Sequence, residues 1–119
     1  MITPHRLSLA YHLRCPGLRG LPTLNRARGH LIGFAMGGSN VDTRNFVPMY
    51  QTANNRMYAE AEDKVVKSIK SGGYQFVQVT PIYGNPKSVV PTKVRFMSHG
   101  TVDVRCEFDN NEEATYKCR

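Results

Sequence analysis

The chain has 119 residues, 40% apolar and 21% charged, a globular composition that suits a single domain and excludes wholesale disorder. A net charge of +7 and an isoelectric point near 9.6 favour a polyanionic partner: nucleic acid first, an anionic membrane surface second, an acidic protein third. No apolar run approaches the roughly 20 residues needed to span a bilayer, and the interrupted stretch from Leu7 to Leu13 is no signal core, so neither a membrane partner nor a leader is expected.

In chain order, residues 1–24 read as a lead-in rich in Pro, Gly, Leu and Arg, within one domain over 1–119 whose core runs 25–71 and whose C-terminal strands run 72–109. Arg28 to Ala35 is a short apolar run, predicting a strand or extended arm with His30 at its start. Gly37-Gly38-Ser39-Asn40 is a turn by composition, and Asp42 to Asn45 leads into a brief apolar stretch that Pro48 stops. A helix is predicted over Thr52–Ser71: Met57, Ala61, Val65 and Ile69 recur every four residues, Thr52 supplies the N-cap, and Gly72-Gly73 ends it. Tyr74 to Tyr83 is β-rich, with Tyr74, Phe76 and Tyr83 assigned to the core of a C-terminal sheet. Gly84 to Lys87 is a loop, and Thr92–Met97 and Thr101–Phe108 read as two strands joined at His99-Gly100. Asn110 to Arg119 is polar and expected to fray. The three cysteines have no metal-site spacing; Cys106 and Cys118 either close a loop with Cys15 free or, as the default reading, all three stay reduced. His5, His12 and His99 are read as surface residues.

Several residues between Arg28 and Glu62 are the types that phosphodiester hydrolysis needs: a base for water, a cation on the phosphate oxygens, and help for the leaving group. An imidazole is the ordinary side-chain base near neutral pH, so His30 suits the base. Asn54 offers an amide oxygen to Mg²⁺, which accepts one or two protein ligands and keeps several waters. Glu62, eight residues on, lies about 80° round an ideal helix from Asn54, with Tyr58 between them, and suits holding a cation's waters. Arg28, Arg44 and Arg56 suit phosphate. Each alone has a plainer reading: a histidine in a turn, a helix cap, solvated charges.

Together, Arg28-Gly29-His30-Leu31, Gly37-Gly38, Asn45-Phe46-Val47-Pro48, Asn54 and Glu62 resemble the non-specific DNA/RNA endonucleases of the ββα-metal (His-Me finger) superfamily. The intervals of nine from Asn45 to Asn54 and eight from Asn54 to Glu62 both match, across roughly residues 25–66. The resemblance implies an α+β fold, with a ββα-metal core, a small antiparallel sheet and one main helix. It implies a Mg-dependent endonuclease, with Mn²⁺ or another divalent cation as alternatives. His30 would be the general base, Asn54 the metal ligand, and Glu62 the residue that orients metal-bound water. Arg28 would act on the phosphate at the catalytic centre, with Asn45, Arg44 and Arg56 also touching substrate or bracing its loop. Where the motif usually has Asp, this chain has Ala27. The string Asn25 to Leu31, with Tyr50-Gln51, resembles a subgroup of polymorphic-toxin nuclease domains in which that Ala is native. That subgroup implies a secreted antibacterial effector with DNA, possibly RNA, as substrate and an acidic immunity protein as partner. Such a domain is delivered to act in a target cell's cytoplasm. The alternative from another class is a non-catalytic basic nucleic-acid-binding module, which explains the charge and asks nothing of His30.

Overall fold

A computed structural model describes residues 15–119; His5, His12 and most of the lead-in lie outside them. Two antiparallel strands, β1 (Ala27–His30) and β2 (Phe46–Met49), pair with Ala27 opposite Met49, Arg28 opposite Pro48 and His30 opposite Phe46. β1 is shorter than the predicted arm. After His30 the chain turns, and Phe34–Met36 forms a 3₁₀ turn, because Asn45 ties the loop together. Its Nδ2 donates to the carbonyls of Ile32 and Ser39, and its Oδ1 accepts from the Ile32 N–H, all at 2.9 Å. Pro48 lies inside β2 rather than stopping it; in a two-stranded ladder each strand is an edge, where a missing N–H is tolerated.

Next comes a continuous helical rod: α1 (Gln51–Met57), a π turn (Tyr58–Glu62) and α2 (Asp63–Lys70). Ala53, Met57, Ala61 and Val65 are fully buried and repeat at strict four-residue steps. Over twelve residues an ideal α-helix would swing such a stripe by about 120°. The π turn takes up roughly one residue, cutting that swing to about 20° and keeping the stripe on the core. At the start, Tyr50 is the N-cap and gives no side-chain capping bond. Thr52 sits inside the first turn instead. Its N–H donates to Asn25 Oδ1 at 3.1 Å, so the capping oxygen comes from a distant residue, and its hydroxyl donates to the Asn111 carbonyl. At the far end Gly72 takes φ 86°, with Gly73 N–H bonding Ser68 O and Gly72 N–H bonding Ile69 O. These bonds satisfy the last carbonyls, as the predicted glycine stop requires.

The second sheet is antiparallel, in the order β3 (Gln75–Ile82), β4 (Lys93–Gly100), β5 (Val104–Asp109), β6 (Tyr116–Cys118). Its inner face packs Val94, Phe96, Val104, Cys106 and Phe108 with the rod's buried stripe. Phe96 and Phe108 are fully buried, each contributing about 1.5–3 kcal/mol of hydrophobic stabilisation. Asn110 joins the two halves: Nδ2 donates to the Pro48 and Pro91 carbonyls, and Oδ1 accepts from the Tyr50 N–H. The architecture is α+β, with a ββα unit, a small antiparallel sheet and one main helix.

Three sequence expectations are corrected. The C-terminus does not fray, because residues 116–118 pair with β5, and Cys106 is directly opposite Cys118. Those two cysteines form a disulfide, while Cys15 is free and buried, its thiol pushed up by desolvation against the opposing pull of Arg28. Tyr74 and Phe76 are not core: they are 65% and 73% exposed on the sheet, and Tyr83 is 41% exposed. No helix among the described residues is long and apolar enough to cross a membrane.

Candidate active site

β1 ends at His30, whose ring rests against Phe46 of β2 with centroids 4.6 Å apart. His30 Nε2 lies 2.7 Å from Asn40 Oδ1. An amide oxygen only accepts, so Nε2 carries the proton and Nδ1 is left as the basic nitrogen. The imidazole is thus held by a ring on one side and a hydrogen bond on the other.

Asn54 leaves the rod one position after buried Ala53, so it points roughly 100° away from the core stripe. With a π turn between them, the eight residues from Asn54 to Glu62 equal about seven α-helical steps. That brings the two side chains to within about 20° of each other, closer than the 80° of a regular helix. His30, the 33–36 turn, Asn54, Tyr58 and Glu62 line one cavity of about 470 Å³. Glu62 is only 9% exposed, and burial alone pushes its carboxyl from the usual 4.5 up to about 7. It has no hydrogen-bond or ion-pair partner among the described residues. The loop closes tightly on it: a Cβ added at Gly33 would stand 3.3 Å from Glu62 Oε2.

His30, Asn54 and Glu62, picked from sequence, therefore share a cavity. The other candidates do not line it. Arg28 is half-buried in β1, with its charge acting on the Cys15 thiol. Asn45 spends its amide on the loop clamp. Arg44 reaches Asp42 at 2.7 Å and holds that carboxyl down to about 2. Arg56 lies two residues past Asn54 and so about 200° round the rod; its guanidinium sits 5.6 Å over the Tyr116 ring of β6. No Lys or Arg among the described residues lines the cavity. Two residues of the site escaped the sequence reading. Asn40 was visible only as turn composition, and Phe34 only as part of a supposed strand.

The donor set of the cavity suits a hard cation that keeps most of its water. An amide oxygen and an unpartnered buried carboxylate are oxygen ligands, and the described residues contain no cluster of three His, Cys, Asp or Glu that would make an all-protein cage. Ala27, opposite Met49 in β1, adds no oxygen.

A family model described as DNA/RNA non-specific endonuclease matches residues 2–101. Among solved structures, NucA from Streptococcus agalactiae with magnesium ion bound is similar, with a TM-score of 0.67 and 18% identity over 80% of this chain. The same protein with no metal bound gives a TM-score of 0.66, again at 18% identity and 80% coverage. The chain spans 55% and 56% of the length of those two chains. No curated protein matches the sequence.

Proposed function

Since the chain belongs to the DNA/RNA non-specific endonuclease family, we propose that it hydrolyses phosphodiester bonds of nucleic acid with a divalent cation, at the cavity that His30, Asn54 and Glu62 share. One observation carries the reading: a carboxyl nine-tenths buried, without a partner among the described residues, on the same cavity as a histidine whose Nε2 is hydrogen-bonded to Asn40.

His30 Nδ1 takes a proton from a water whose oxygen attacks the phosphorus. The bond from phosphorus to the leaving sugar oxygen breaks, and that oxygen takes a proton from solvent. Asn40 fixes the tautomer that leaves Nδ1 basic, and Phe46 limits how the ring can turn. Asn54 Oδ1 would be the direct ligand of the cation, and Glu62 would accept hydrogen bonds from the cation's waters. The bound cation, Mg²⁺ first and Mn²⁺ as the alternative, would stabilise charge on the phosphoryl oxygens. NucA with magnesium ion bound supports the choice of metal.

The surplus of positive charge supports a polyanionic substrate held largely through its backbone, hence without sequence preference. We read the domain further as an antibacterial effector that acts in a target cell's cytoplasm and is neutralised by an acidic immunity protein. The Asn25–Leu31 string and the charge support that reading. Incubation with plasmid DNA and with RNA, in Mg²⁺ and in EDTA, tests the function. Wild type degrades nucleic acid only with the cation, and His30→Ala and Asn54→Ala lose about a hundredfold or more. Undiminished degradation by both variants refutes the mechanism; salt-sensitive binding with no hydrolysis at all makes the chain a basic binding module.

A further inference from the structure

Resting on the nuclease reading, we infer that the site takes nucleic acid with unstacked bases: Phe34 and Tyr58 stack on bases flanking the scissile phosphate, and single strands are preferred over duplex. The lining itself argues for this. In a chain of net charge +7 the cavity contains no Lys or Arg among the described residues, and its walls are largely apolar, including Phe34, Ala35, Met36 and Val66. A site built to grip a duplex through phosphates alone would be lined by cations, because base faces are hidden inside the stack. Here the two largest exposed groups on the cavity are rings, Phe34 at 68% and Tyr58 at 55% exposure.

Neither ring rides on loose chain. Phe34 stands on a 3₁₀ turn closed by Met36 N–H to Gly33 O, Gly37 N–H to Phe34 O and Gly38 N–H to Gly33 O, at 2.9–3.0 Å. The Asn45 clamp then anchors both ends of that loop. Tyr58 opens the π turn of the rod, one turn from Asn54. Exposed aromatic faces on rigid supports, beside amide and imidazole groups, are the parts of a stacking platform for single-stranded nucleic acid. Every base has such a face, DNA or RNA, so the preference is for strandedness and not for sequence.

The test compares wild type with Phe34→Ala, Tyr58→Ala and the ring-retaining Phe34→Trp and Tyr58→Phe. Both positions are exposed, so the variants should fold, and thermal melting checks that they do. Fluorescence anisotropy in EDTA measures binding to a labelled single-stranded DNA, the same RNA, and the matching DNA duplex, with no turnover. Cleavage of each is then followed in Mg²⁺. Each Ala variant is expected to weaken single-strand binding and kcat/KM by about fivefold or more, while duplex values move less than about twofold. The ring-retaining variants should stay near wild type. Equal wild-type handling of both forms, or equal losses on both in the Ala variants, overturns the inference and leaves the rings to a protein contact. A chain that binds single strands through these rings yet cleaves nothing would refute the catalytic reading alone.

Discussion

Glu62→Gln turns the burial of one carboxyl into a measurable pH dependence. In the folded chain Glu62 is held at about 7 by desolvation, against 4.5 ordinarily, so the folded state binds its proton more tightly than the unfolded state does. The stability this gives is full below the unfolded value and is lost as pH rises through the folded one. Between pH 5 and pH 8 wild type should therefore lose about 2–3 kcal/mol relative to Gln, which does not titrate. For a domain of this size that is about 10 °C in Tm. Melting of both proteins in EDTA across this range should give curves that meet near pH 5 and part by pH 8, with Gln the more stable. Adding Mg²⁺ at pH 8 should raise wild type and narrow the gap, because a ligand bound only by the folded state stabilises it. Curves that stay parallel, with or without the cation, would mean that Glu62 is ionised and satisfied in the fold, and the argument for an oxygen-ligand cavity would lose its basis.

Further outcomes follow from other contacts. Asn40→Leu removes the acceptor on His30 Nε2 and should cut kcat by about tenfold with little change in KM, measured on plasmid or oligonucleotide. Gly38→Ala should lower Tm and activity together, since the new Cβ would meet the Ile32 carbonyl far inside contact distance and so open the loop that carries Phe34. Gly37→Ala, with φ +91° but open space around it, should cost only about 1–2 kcal/mol of backbone strain. Reducing Cys106–Cys118, which closes a loop of twelve-residue separation, should lower stability by about 2–3 kcal/mol, read as a shift in urea midpoint with and without reductant.

Local pattern carried much of the fold. The rod was legible because most of its apolar stripe and its glycine stop are written within one element, although Ile69, read into that stripe, is 38% exposed. The pairing of β4 and β5 was legible too, but His99-Gly100, read as their joint, ends β4 and the turn falls at 101–103. What escaped depends on contacts between segments far apart in sequence. The helix start is capped by Asn25 rather than Thr52, and β6 exists because β5 and a disulfide hold three polar residues in place. Pro48 misled because proline is a strand stop only where both strand edges are paired. Tyr74 and Phe76 looked like core, since composition does not say which face of a sheet is covered. At the site, spacing grouped His30, Asn54 and Glu62, yet it could not show that Glu62 is buried or that Arg56 points to Tyr116. Those facts belong to packing.

The widened turn at Tyr58–Glu62 means that counting positions along this rod is not the same as counting angles. Inserting one further residue between Asn55 and Ala61, with the widened turn kept, would swing Glu62 away from Asn54 by about 100°, although every side chain of the motif remained in the chain. Here the length of the segment is as much a part of the chemistry as the letters in it.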